Sequence, residues 1–400
     1  MLSVLGRYYP IVIPAAVFLL LGLFCFFSAQ RALERSPKEP GWVRRHGQRG
    51  YPFAREAFPA RPADWLGVFG VAVFALVSSM LYTALRSLQD GASWLGGLFS
   101  AISLGSILLS VIGAVAMYFL LQRLYGSTLI SACGSLLCAA SFVGSHSAGA
   151  CLTLALLLLV LWLNAPQEKL FPAELLYYAA CLALCGALAL CPALFPSLLL
   201  FWALHIYKHV SALRSDRRSP GQFALALAAA LLFLLVITFC FALLRMLVVY
   251  GFWLGALSEQ FARYGFLNAV LRCLKASFLA SFVPLARARA IQPMMDAPLL
   301  GLGCFGALTA VVMLVRRRDA RSKLLLPILA AQLLTWILCD RYVLGVGFTL
   351  SASMLFGNYV RGKKKLPVVV LTVLGVLFQL ALYVLTCRLP LSESILRRFS

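Results

Sequence analysis

Long apolar runs, broken by short polar segments, recur from one end of this chain to the other. They cover residues 11–29, 66–86, 97–121, 128–145, 149–163, 175–190, 194–207, 223–250, 298–315, 324–339, 343–360 and 366–386. A helix that crosses the hydrocarbon core of a bilayer needs about 20 predominantly apolar residues. Backbone polar groups in lipid must be satisfied within the segment, which leaves the helix as the form such runs take. The pattern predicts an all-α polytopic transmembrane bundle of about twelve spans. The run at 11–29 has only Arg7 before it, whereas Arg31, Arg35 and Lys38 follow, and no small-residue cleavage site is evident. It reads as a retained first helix rather than a signal peptide.

Two segments break the pattern. Residues 31–64 are basic and carry Pro37, Pro40, Pro52, Pro59 and Pro62, a composition too polar to fold alone and suited to anionic headgroups. Residues 251–297 form the longest predicted external loop. Trp253, Leu257, Phe261 and Tyr264 fall on one helical stripe with Glu259 and Arg263 opposite. After Gly265, a second stripe holds Leu267, Val270, Leu271, Leu274 and Phe278, with Asn268, Arg272 and Lys275 on the other face. This spacing predicts two short amphipathic helices in the membrane interface. The chain thus divides into an anchor helix (1–30), a cytoplasmic linker (31–64), a first transmembrane bundle (65–250), the external loop (251–297) and a C-terminal bundle (298–400).

Charge orients this layout. Alternate threading places 23 of the 35 Lys and Arg residues in the segments 31–64, 122–127, 164–174, 208–221, 316–323 and 361–365, and 11 on the other side, with Arg245 inside a span. Basic residues are retained in the cytoplasm, so those segments are cytoplasmic. A net charge of +22 therefore reflects topology, and no nucleic-acid partner is expected. Composition agrees: 62% hydrophobic and 12% charged, with a mean hydropathy of +0.93, against about 25% charged in soluble domains. The twelve cysteines lie in apolar runs with no CxxC pair, which indicates small buried side chains rather than zinc or a redox centre.

Catalytic motifs built on HExxH, GxSxG, a P-loop or Cys/His spacing are absent. What remains is a carboxylate with basic residues. Asp90, in the first external loop after residue 86, offers a general base; the Asp90-Gly91 pair is also a strong turn signal. Arg263, Arg272, Lys275, Arg287 and Arg289 set five cations on the side that should be depleted of them. They suit a phosphate or diphosphate, or they snorkel to lipid headgroups. Arg245 either snorkels outward or faces a polar cavity, Asp340-Arg341 reads as a structural pair, and His146, His205 and His209 read as isolated structural residues. No metal and no cofactor are expected.

The layout resembles the polytopic GT-C glycosyltransferases, in particular the bacterial family 39 or protein-mannosyltransferase-like group. Leu121-Gln122-Arg123-Leu124-Tyr125-Gly126 is similar to that group's Arg-x-aromatic-Gly cytoplasmic turn. Tyr51-Pro52-Phe53 through Asp64-Trp65 resembles its bacterial linkers, and 251–297 follows the seventh core span. The resemblance spans about residues 50–386 in layout. It implies a sugar transferred from a polyprenyl-phosphate donor at the outer face of a bacterial plasma membrane, with inversion, with Asp90 as base and the five cations on the phosphate. The first external loop departs from the family: it is short and holds one carboxylate, as in a reduced or inactive relative. A transporter or flippase of a lipid-linked or anionic solute, using Arg245, and a non-catalytic subunit on the same fold are the alternatives.

Overall fold

A computed structural model of the chain describes residues 2–34, 62–89, 101–141, 147–165, 170–214, 220–250, 254–281, 296–317, 319–338 and 345–388. Among them are fourteen α-helices, one 3-10 turn and no strand. The helices are α1 (Leu2–Glu34), α2 (Pro62–Gln89), α3 (Ala101–Tyr125), α4 (Thr128–Ala140), α5 (Ser147–Asn164), α6 (Leu170–Leu190), α7 (Phe195–Arg214), α8 (Pro220–Tyr250), α9 (Leu254–Tyr264), α10 (Phe266–Ser281), α11 (Ala297–Arg317), α12 (Ala320–Leu338), α13 (Gly345–Arg361) and α14 (Leu366–Arg388).

Each of the twelve apolar runs coincides with one helix. Eight of these helices, in stretches of 18–22 residues, are long and apolar enough to cross a membrane, while Thr128–Ala140 and Glu174–Leu190 are shorter apolar helices. Their outward faces are apolar too: Phe24, Leu66, Phe69, Leu225, Val315 and Leu366 are each about 70% exposed. A water-soluble surface does not carry so much contiguous apolar area, so the chain is a membrane-embedded helical protein.

The helices form two compact units that cut across the linear division read from the sequence. Residues 1–153, 286–329 and 342–400 make one, and 154–285 with 330–341 make the other. In the first unit α1 packs along α11 and α13. Helix α13 is the centre of that unit, with every residue from Gly345 to Tyr359 buried. Small residues permit this. A Cβ on Gly306 would overlap the carbonyl oxygen of Ser351, and one on Gly301 would overlap that of Phe18, so α11 meets both neighbours backbone to backbone. Phe18 stacks edge-on against Phe378 at 5.1 Å, tying α14 to the same core.

The second unit is built on α6 and α8, with α7 beside them and α10 laid against α8. Ala242, Met246, Ala269, Val270 and Cys273 form the buried seam between α8 and α10. All ten cysteines whose surroundings are described are reduced, seven of them buried and three half-buried.

Candidate functional site

The two short helices predicted within 251–297 exist as α9 and α10, joined at Gly265. That residue adopts φ +73°, which glycine tolerates at no steric cost. Its N–H donates to the Phe261 carbonyl at 2.9 Å and closes α9. The apolar stripe predicted on α10 divides into two. Val270, with Ala269 and Cys273, is buried against α8, whereas Leu267 and Leu271 are 66% and 53% exposed. At 100° per residue these are adjacent sectors, and the third sector holds the exposed Asn268, Arg272 and Lys275. The α8 surface takes the smaller side chains because a close seam admits alanine and cysteine more readily than leucine.

Of the predicted cations, Arg263 and Arg272 both approach the Tyr264 ring. Their guanidinium carbons lie 5.6 and 4.2 Å from the centre of the Tyr264 ring, close enough for cation–π attraction. Both are exposed, as is Lys275. Asp90, Arg287, Arg289, His146 and the Asp340-Arg341 pair lie outside the described residues.

Arg245 is half-buried and reaches the end of α6. Its Nη1 donates to the Ala189 carbonyl at 3.0 Å. Pro192 cannot continue α6, the chain passes into a 3-10 turn over Pro192–Leu194, and the last carbonyls of α6 lose their helical donors. The guanidinium supplies one.

The Arg123-x-Tyr125-Gly126 turn has a clear physical basis. Gly126 takes φ +61° and donates to the Gln122 carbonyl at 2.8 Å, ending α3 in a left-handed cap. Arg321 sits 5.3 Å over the Tyr125 ring. The same turn holds Asp64, whose buried carboxylate accepts from the Thr128 hydroxyl and, at 3.4 Å, from the Gln122 amide. Residues from the linker end, the turn and the 316–323 segment therefore meet at one end of the first unit, as the charge-based threading requires.

The largest departure from the sequence reading concerns His205 and His209, which are not isolated. On α7 their i, i+4 spacing stacks them on one face, with ring centres 4.2 Å apart. Glu174, in the first turns of α6, meets both. His205 Nε2 lies 3.1 Å from Glu174 Oε2, His209 Nε2 lies 3.4 Å from Oε1, and the two Nε2 atoms are 3.0 Å apart. His205 is 2% exposed and His209 3%; the Glu174 side chain is 12% exposed. An aromatic wall fixes the first imidazole. Trp162 stacks on it at 5.5 Å with an 8° interplanar angle, and Tyr177 packs against it at 4.3 Å. Lys208 donates to the Trp162 carbonyl and sits 4.1 Å over the Trp162 ring. One imidazole nitrogen from each histidine and a carboxylate oxygen all lie within 4.8 Å of one another, close enough to hold a metal ion. A signal was present in the sequence, His-x-x-x-His on an apolar helix. Its acidic partner lies 31 residues earlier and no spacing rule points to it.

No protein-family model, curated protein or solved structure matches this chain.

Proposed function

We propose that this chain is a GT-C-like membrane glycosyltransferase of about twelve spans, acting on a polyprenyl-phosphate sugar at the outer face of the plasma membrane. The observation that carries this reading is the surface of α9 and α10. Arg263 and Arg272 share the Tyr264 ring, Lys275 lies in the same exposed polar sector as Arg272, and Leu267 and Leu271 form an exposed apolar sector beside it. A polyprenyl phosphate needs this combination: guanidinium and ammonium donors for the phosphate oxygens, next to an apolar face continuous with lipid.

In the proposed reaction the acceptor hydroxyl gives its proton to Asp90. Its oxygen forms the new bond to the anomeric carbon, the bond from that carbon to the phosphate oxygen breaks, and polyprenyl phosphate departs with the electron pair. Attack opposite the leaving group inverts the anomeric centre. Asp90 acts as general base, a role that contributes typically about 10²–10⁴-fold in rate.

The test uses the purified chain in lipid nanodiscs with a panel of polyprenyl-phosphate sugars and hydroxyl acceptors. Asp90→Asn should lose transfer by about 10²–10⁴-fold and still bind the donor. An equally active Asp90→Asn overturns the base assignment. A wild type that neither binds nor turns over any donor overturns the glycosyltransferase reading and leaves a non-catalytic subunit as the better one.

A further inference from the structure

We infer that Glu174, His205 and His209 form a divalent transition-metal site of zinc type, with three protein ligands and an open coordination position. The inference rests on the second unit alone and is independent of the glycosyltransferase reading.

The first argument is geometric. Zinc binds imidazole nitrogen and carboxylate oxygen at about 2.0–2.2 Å in a tetrahedral arrangement, which places its ligand atoms about 3.3–3.5 Å from one another. The two imidazole nitrogens are 3.0 Å apart, His205 lies 3.1 Å from one oxygen of Glu174 and His209 3.4 Å from the other, and one ligand atom from each of the three residues lies within 4.8 Å of the others. They come from two helices, with both ring nitrogens and the carboxylate converging on one point.

The second argument is a count of protons. The three contacts link the two Nε2 atoms to each other and each of them to a different oxygen of Glu174. With Glu174 ionised, both nitrogens must carry a proton to donate to the carboxylate, because an ionised carboxylate only accepts. The two N–H groups then face each other across the 3.0 Å contact. If either proton is removed, that nitrogen presents a lone pair to a carboxylate oxygen. While Glu174 is ionised, no distribution of protons on the two rings makes all three contacts favourable. A dication at the centre does, since all three groups then turn lone pairs toward it.

The surroundings fit. Trp162 and Tyr177 lock the His205 ring, which sets the orientation that a ligand needs before the metal arrives. Glu174 is the most exposed of the three and opens the site toward one end of the unit. The charge rule assigns that end, formed by the 164–174 and 208–221 segments, to the cytoplasm. Two nitrogens and one carboxylate oxygen are the ligand set of catalytic rather than structural zinc, with a position left for water or an anionic oxygen. Copper(II) competes for such a site by intrinsic affinity, whereas calcium and magnesium prefer all-oxygen sites.

The test uses the full-length chain, purified in detergent with a tag free of histidine, stripped with chelator and loaded with Zn²⁺ or Co²⁺ alone. The wild type should retain one equivalent after desalting, with visible ligand-field bands for Co²⁺. Zinc X-ray absorption should report imidazole nitrogen and oxygen scatterers and no sulfur. Glu174→Gln and His209→Gln should each weaken binding by at least about 10–100-fold, the loss already seen when second-shell partners of a metal site are removed. A rise in thermal midpoint on adding Zn²⁺ should occur in the wild type and vanish in both variants. Sulfur in the absorption spectrum, or stoichiometry unchanged in a folded Glu174→Gln chain, would place the metal on the cysteines and overturn the inference. A wild type that retains no metal overturns it outright. The absorption spectrum is read on the wild type and holds whether or not a variant folds.

Discussion

The two units differ in the polar side chains they hold, although both use some bridges between helices. In the first, the hydroxyls of Ser110, Thr309, Thr349, Ser353 and Thr372 each donate to the carbonyl four residues earlier on the same helix. A hydroxyl satisfied by its own turn can be placed in an apolar bundle without needing a partner from elsewhere. Helix contact is then left to glycine and other small residues, as between α11 and α13. In the second unit the polar groups are ionisable and bridge helices. Arg245 reaches α6, Lys208 reaches α5, and His205 and His209 share Glu174. Charge at membrane depth is costly, and a cluster of it marks a functional site. Among the described residues, the histidine–carboxylate cluster lies in the second unit.

The sharpest way to break this contrast is to crowd the first unit. Gly306→Ala should destabilise the protein by an amount near the top of the roughly 1–3 kcal/mol that overpacking costs, because the new methyl meets a backbone carbonyl that cannot rotate away. Gly70 and Gly105 have open space where a Cβ would stand, so alanine there should be neutral or slightly stabilising. Thermal unfolding in detergent followed by size-exclusion chromatography compares the three. Equal midpoints would show that close approach of α11 does not hold the first unit together.

In the second unit, Lys208→Met keeps the apolar stem and removes the donor to the buried Trp162 carbonyl. The carbonyl keeps its bond from the Ala165 N–H at 3.1 Å, so the loss is of one charge-assisted hydrogen bond and should cost about 1.5 kcal/mol, with a change in Trp162 fluorescence. A midpoint within error of the wild type would mean that the charge is tolerated rather than used.

A smaller effect is expected where the first unit does use a bridge. Tyr359 donates to the Cys25 carbonyl on α1 at 3.0 Å, and Tyr359→Phe should cost about 0.5–1.5 kcal/mol. Thr349→Val, which removes a bond internal to α13, should cost less. The reverse order in denaturant titrations would reject the distinction between bridging and self-satisfied hydroxyls.

The least perturbing change is at the interface. Arg272→Gln with Lys275→Gln alters two exposed side chains and should shift stability by no more than about 0.5 kcal/mol. The same double variant should nonetheless weaken retention of polyprenyl phosphate in a vesicle-binding assay, through lost phosphate contacts. A loss of fold would show that these cations serve α10 itself.

Local chemistry made much of the helical layout readable. An apolar run of membrane length has one stable backbone form in lipid, so the positions of α1, α2, α3, α8, α11 and α14 follow from composition alone. Gly265 and the stripe on α9 announced a two-helix loop, because a left-handed break and a 3.6-residue period are local signals. The burial of Val270 beside an exposed Leu271 was not legible, since both are apolar and only contact with α8 tells them apart.

What the sequence determined by itself is the membrane-embedded helical character, the positions of the helices and a charge asymmetry that orients them, each set by residues near one another in the chain. Tertiary structure alone decided the grouping of distant helices around α13, the capping of α6 by Arg245, and the meeting of Glu174 with His205 and His209. Those depend on which helix faces cross in space. A hydrophobic period specifies that a face will be covered, but leaves open which residue, tens of positions away, will cover it.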